Sequence, residues 1–176
     1  MKCTLVMVTS VNGKMTRGMS PNIYTWTSKE DSDYFFSLIE KHNLIIMGRK
    51  TYETNRQRIR LVLGKLRVVL TGKPKHYAHQ AVRGQLEFTS ETPKELVRRL
   101  TKAGHKEALV VGGSEVAAAF LHAGLIGRLE LTIEPYIFGK GLSFVGSSDV
   151  IARLRLVSIK RLNKRGTMVL SYRVGR

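Results

Sequence analysis

Acidic residues are scarce in this chain: 13 Asp and Glu stand against 30 Lys and Arg, for a formal net charge of +17. The deficit is also local. No acid occurs from Thr54 to Leu86, where eight Lys or Arg residues fall, and none follows Asp149, where eight more occur. A field of that sign attracts nucleic acid, an anionic membrane surface or phosphorylated small molecules. The cations are scattered and the C-terminal stretch lacks the aromatic and glycine pattern of an RNA-stacking platform, which argues against nucleic acid and leaves a trait of the source proteome or help in recruiting anionic ligands. Cysteine is nearly absent. Cys3 alone excludes an internal disulfide and a cysteine-built metal site, and no metal is expected. It opens an apolar strand and reads as a small core residue. No hydrophobic run reaches membrane-spanning length, and Thr4, Thr9, Ser10 and Asn12 interrupt the residues after Lys2 too early for a signal peptide. A cytoplasmic protein without a membrane partner is expected.

What is present describes a folded domain. Apolar residues make up 43% and charged residues 24% of 176 positions, a length suited to a single domain over residues 1–176, with no repeat, linker or low-complexity segment. Lys2 to Val8 reads as a buried strand and Asn12-Gly13 as a turn, followed by a loop from Lys14 to Thr25. Ser28 is an N-cap for a helix whose apolar face carries Phe35, Leu38 and Ile39 and which ends near His42-Asn43. Leu44 to Met47, Arg67 to Leu70, Gln85 to Phe88 and Ala108 to Val111 read as further strands. Helices are expected after Gly48, from Thr92-Pro93 to Gly104, and from Ser114 to Ala123. The rhythm then changes to strands alone, at Leu129 to Glu134 and in a hairpin of Leu154 to Arg161 and Thr167 to Val174 around Asn163-Lys164-Arg165-Gly166. Parallel strands with crossover helices, closed by an antiparallel C-terminal hairpin, predict a three-layer α/β/α domain with a mixed, mostly parallel central sheet.

Three of these strands end in corners suited to phosphate. Met47 runs into Gly48-Arg49-Lys50-Thr51, Leu70 into Thr71-Gly72-Lys73, and Val111 into Gly112-Gly113-Ser114. Glycines ahead of a helix leave amides unobstructed at its positive end, and the cations add attraction. In a parallel sheet all three corners lie on one edge, where such folds bind ligands. That spread suits a dinucleotide.

The run Trp26, Asp31, Phe35, then Ile46-Met47-Gly48-Arg49-Lys50-Thr51-Tyr52-Glu53, resembles dihydrofolate reductase. So do Leu63-Gly64-Lys65 before Val68-Val69-Leu70-Thr71, Val110-Val111-Gly112-Gly113-Ser114-Glu115-Val116, and Leu129-Glu130-Leu131-Thr132. Ser10-Val11-Asn12-Gly13-Lys14, Gly124-Leu125-Ile126, Pro135 and Gly139-Lys140-Gly141 are instead similar to the C-terminal reductase domain of riboflavin biosynthesis, the RibD C-terminal domain. Against that second likeness, its usual Asp-Asp-Pro stretch is replaced by Tyr52-Glu53-Thr54-Asn55, and no deaminase domain precedes.

The resemblance implies an NADPH-dependent reductase. Reduction of a C=N bond needs a hydride from a nicotinamide and a proton, and a carboxylate can hold an amidine-like edge by paired hydrogen bonds. Asp31 is the implied acid with Thr132 as its partner, and Glu30 is the competing acid. Burial would raise the Asp31 pKa and suit it to proton relay. The implied cofactor set is Val8, Met15 and Thr16 near the nicotinamide, with Gly48, Arg49, Lys50, Thr51, Leu70, Thr71, Gly72, Lys73, Gly112, Gly113, Ser114, Glu115 and Val116 along the phosphates. The implied substrate set is Val6, Trp26, Asp31, Phe35, Lys65 and Thr132. Lys65 stands where folate reductases carry an arginine that clamps a carboxylate, and it lacks the bidentate fork. The expected substrate is dihydrofolate, with a ribosylaminopyrimidine phosphate of riboflavin synthesis as the alternative, in a monomer or homodimer.

Overall fold

The computed structural model describes residues 1–146 and 148–175. Its strands are β1 (Lys2–Ser10), β2 (Leu44–Gly48), β3 (Leu66–Leu70), β4 (Leu86–Thr89), β5 (Glu107–Val110), β6 (Ile126–Glu134), β7 (Leu154–Arg161) and β8 (Met168–Val174), and its helices α1 (Lys29–Lys41), α2 (Arg49–Asn55), α3 (Pro93–Lys102) and α4 (Ser114–His122). The eight strands form one sheet in the order β4-β3-β2-β5-β1-β6-β8-β7. Pairings are parallel from β4 to β6, while β8 runs antiparallel to both β6 and β7. This is the mixed, mostly parallel α/β sheet with a C-terminal hairpin that the pattern of elements predicted, in the dihydrofolate reductase-like fold that the resemblance implied. Short turns of 3₁₀ helix at Ile23–Thr25 and Pro74–Gln80 interrupt segments that read as plain loops in the sequence.

Helices cover both faces because the central strands are apolar on both. On one face Phe35, Leu38 and Ile39 of α1 and Tyr52 of α2 pack on Val6, Ile45, Met47, Val69 and Leu109. On the other, Leu96 and Leu100 of α3 and Val116, Ala117 and Phe120 of α4 pack on Leu5, Met7, Leu44, Ile46, Val68 and Val110. Cys3 belongs to that second cluster, and burial pushes its thiol up to about 11, so it is a core residue with little thiolate at neutral pH. Local signals place the helix ends. Ser28 Oγ accepts the Asp31 N–H at 3.2 Å at the start of α1, and Thr92 and Glu95 close a capping box on α3 behind Pro93.

The topology also fixes where a ligand fits. β1 and β5 are neighbours, but the chain leaves β1 through α1 toward β2 and leaves β5 through α4 toward β6, on opposite faces. A crevice therefore opens at their carboxyl ends, the switch point of an open α/β sheet.

Candidate active site

Asp31 sits in the first turn of α1 and is only 6% exposed, the one buried residue of a helix that otherwise shows a half-buried face. Its burial follows from the cap. With Ser28 holding the Asp31 N–H, the first turn presses against β6, where Thr132 offers its hydroxyl to the carboxylate. Burial raises the Asp31 pKa from 3.8 to about 6; the Thr132 hydrogen bond opposes the rise and the charge of Glu134 adds to it. The neighbouring acid has the opposite surroundings. Glu30 is exposed, accepts from Asn163 Nδ2 at 3.2 Å, and is held below its ordinary range by hydrogen bonds from the main chain and Asn163. Of the two candidate acids, Asp31 has the buried proton-binding environment.

Around Asp31 the expected substrate residues mostly converge. Val6 and Val8 stand opposite Glu130 and Thr132 in the β1–β6 register, so the two valines share the α1 face with Thr132. Phe35 packs onto the cluster containing Val6. Trp26 is buried with its ring edge-on to Phe138 at 5.2 Å, and its Nε1–H has no partner among the described residues. A buried N–H without an acceptor is costly, so that group is suited to a ligand or water on the crevice side.

Lys65 does not join them. It precedes β3, at the sheet edge opposite the carboxyl ends, and its ammonium donates to the main-chain oxygens of Ile39 and, at 3.2 Å, Glu40. These are last-turn carbonyls of α1, so Lys65 acts as a C-terminal helix cap, favoured by the helix dipole. The expectation that it clamps a substrate carboxylate is corrected by this contact: two of its three N–H donors hold the end of α1, at the sheet edge away from the crevice. Lys65→Met should lower stability by about 0.5–1.5 kcal/mol and leave KM for the reducible substrate within about twofold. Thermal melts and steady-state kinetics check this; a large rise in KM at unchanged stability would restore the clamp.

The three corners meet on one edge as expected. The Gly48 N–H donates to the Gly112 oxygen at 2.8 Å, tying the end of β2 to the turn after β5. Gly112 has φ +87°, and a Cβ there would meet the Met7 sulfur at 3.1 Å. The Gly112-Gly113 peptide is cis. The N-cap of α4 is Gly113, and among the described residues no side chain caps that helix, so its first amides suit an external anion. Thr71 is buried at the end of β3, accepting the Lys73 N–H at 3.2 Å. Arg49 pairs with Glu53 at 2.7 Å and Lys50 with Glu115 at 3.2 Å. Both pairs are largely exposed and worth little, so either cation can turn to a phosphate at small cost.

The loop after β1 is tied down. Asn12 accepts from Ser10 Oγ and the Phe138 N–H and donates to the Phe138 oxygen at 2.8 Å, joining the end of β1 to the loop after β6. Thr16, only 6% exposed, donates to Gly18 O at 2.9 Å and accepts the Leu142 N–H at 2.8 Å, while Met15 packs toward the α3–α4 side. Arg58 lies over the Tyr24 ring at 4.2 Å, joining the segment before α1 to the segment after α2. Neither Tyr24 nor Arg58 stood out in the sequence, because only the fold brings them together. Glu134 also went unmarked, though its place two residues past Thr132 on the same strand face was readable.

Fold and crevice together define an oxidoreductase of the dihydrofolate reductase-like class. The chain belongs to the RibD C-terminal domain family, whose model matches residues 1–168. A pyrimidine reductase-like protein from Corynebacterium diphtheriae superposes with a TM-score of 0.82 at 18% identity, over 99% of this chain and 92% of that one. A diaminohydroxyphosphoribosylaminopyrimidine deaminase/5-amino-6-(5-phosphoribosylamino)uracil reductase from Thermotoga maritima superposes with a TM-score of 0.74 at 16% identity, over 99% of this chain and 56% of that one. The uncharacterized protein YyaP of Bacillus subtilis (strain 168) is 22% identical over 129 residues, 66% of this chain and 66% of YyaP. The chain thus spans little more than half of the Thermotoga protein and the match just under two thirds of YyaP. The family match favours the riboflavin-type pyrimidine reductase, the alternative of the sequence reading, over dihydrofolate reduction.

Proposed function

We propose that this protein is an NADPH-dependent reductase acting at the C=N bond of a phosphorylated ribosylaminopyrimidine. The observation that carries the reading is the buried Asp31 carboxyl, held by Thr132 beside the β1–β5 crevice with its pKa raised to about 6. The residues fit the cofactor: Gly112 leaves open a space that a Cβ would fill, α4 presents uncapped amides, and Thr71 with Lys73 lies at the next corner, where an extra phosphate would sit. When bound, NADPH supplies the hydride. Asp31 supplies the proton: with a pKa of about 6, roughly a tenth of its carboxyl is protonated at pH 7, and that form can donate to the substrate nitrogen as electron density arrives there. Thr132 keeps the carboxyl oriented, and Val6, Val8 and Phe35 exclude water from the same wall. Arg56, Arg58 and Arg60 follow α2 in the acid-free stretch and add to the positive field that favours a phosphorylated substrate. The reading carries with it a cytoplasmic location.

Dihydrofolate reduction is kept as the second reading because Asp31, Phe35 and Thr132 collect on the α1 face of the sheet. Initial rates of NADPH oxidation with the ribosylaminopyrimidine phosphate, with dihydrofolate and with neither will separate the two. The proposal expects turnover with the pyrimidine at least about tenfold more efficient; turnover with dihydrofolate alone would reverse the order.

A further inference from the structure

Beside Asp31 lies a second buried acid that the proposed chemistry does not use. Glu134 ends β6 on the same face as Thr132 and is 2% exposed. Its Oε1 accepts the Ser28 N–H at 2.6 Å and its Oε2 accepts the Thr167 hydroxyl at 2.7 Å. The Thr167 hydroxyl already accepts from Asn163 Nδ2 at 2.9 Å, so its own hydrogen is free for Glu134. Two donors facing two oxygens is the arrangement a charged carboxylate takes. Ser28, held in this way, caps Asp31. Asp31 is therefore gripped twice from one strand, by its carboxyl through Thr132 and by its main chain through Ser28 and Glu134.

We propose that Glu134 is a positioning residue for Asp31, fixing where that side chain sits and which charge it faces. The proposal rests on the reading of Asp31 as the proton donor. Other charges near this end of the face are turned elsewhere. On α1, Glu30 points to Asn163, and Lys29 pairs with Asp33 at 2.6 Å on the exposed side. On β6, Glu130 is tied to Arg128, to the Tyr34 hydroxyl at 2.9 Å and to Ser171 Oγ at 2.6 Å. On β7, Lys160 lies over the Tyr34 ring; β8 brings Val169, Ser171 and, farther along opposite Arg128, Arg173 to this face, and Thr167 stands just ahead of the strand. From the β7–β8 hairpin, Arg165 joins Glu134, Trp26 and Tyr136 in lining a cavity of about 480 Å³. Burial is the larger cause of the raised Asp31 pKa, and repulsion from Glu134 adds to it.

The test needs neither cofactor nor substrate. The chain has three aspartates, Asp31, Asp33 and Asp149, so labelling aspartate carboxyls with carbon-13 gives three titrating resonances, and Asp31→Asn identifies one. Glu134→Gln keeps the acceptor for Ser28 and removes the charge; the Asp31 midpoint should fall by roughly one pH unit. Glu134→Ala, which removes the charge and requires no new hydrogen bond, should lower it as well, and carries the test if Glu134→Gln does not fold. A midpoint unmoved in the folded variants would overturn the proposal, whatever the substrate proves to be. Where turnover is measurable, the falling alkaline limb of kcat/KM should move with the resonance, which a purely structural Glu134 would not cause.

Discussion

Asp31→Asn is expected to lower turnover by at least about a hundredfold while leaving NADPH affinity unchanged, and to make the protein more stable. The two effects share one cause. The Asp31 pKa is raised in the folded state, from 3.8 to about 6, so its ionised form is destabilising relative to the unfolded chain. Its linked contribution is sign-definite: stability is greatest below pH 4, where the carboxyl is protonated in both states, and is lost as pH rises through 6. Asparagine keeps an acceptor for Thr132 and never ionises. At pH 8 the variant should gain between about 1 and 3 kcal/mol, a rise in Tm of roughly 2–10 °C. The gain should shrink to nothing toward pH 4. Paired thermal melts at pH 8 and pH 4, with single-turnover rates, check both halves; equal melting temperatures at pH 8 would mean that Asp31 is solvated and unsuited to hold a proton.

Gly112→Ala should weaken NADPH binding by roughly 10- to 100-fold, the equivalent of about 1.4–2.8 kcal/mol. The residue has φ +87°, where an L side chain costs on the order of 1–2 kcal/mol, and its new methyl would press on the Met7 sulfur. Relief by backbone rotation would pull the Gly112 oxygen from the Gly48 N–H and separate two of the three corners. A control has the same backbone conformation elsewhere: Gly104 has φ +93° with open space around it, beyond the end of α3. Gly104→Ala should lose comparable stability and keep NADPH affinity. Fluorescence titration of NADPH distinguishes them; equal affinities in both variants would remove the Gly112 turn from the cofactor site.

The order of elements and the identity of the buried acid were legible in the sequence because both rest on short-range patterns. Ser28 capping α1 and the apolar positions Phe35, Leu38 and Ile39 fix which way the helix faces, and Asp31 falls on the turn that the cap pulls inward. The three corners were legible because strand, glycine and helix start follow each other directly. Contacts between distant segments were not. Asn12 to Phe138, Arg58 to Tyr24 and Glu134 to Ser28 and Thr167 join residues from 33 to 126 positions apart, and no local preference announces such pairs. Tyr24 and Arg58 are 34 positions apart. Lys65 was misread for a related reason. A lysine before a strand looks free to reach a ligand, until the end of α1 arrives beside it with open carbonyls.

The most direct test follows the hydride. Wild-type protein mixed with NADPH deuterated at the transferring carbon and the ribosylaminopyrimidine phosphate should yield a reduced pyrimidine carrying the deuterium, one for each NADPH consumed, with Asp31→Asn forming none on the same timescale. A pyrimidine recovered unreduced and unlabelled while the protein binds NADPH would contradict the proposed reaction, and failure to bind NADPH at all would contradict the reading of the three glycine corners with it.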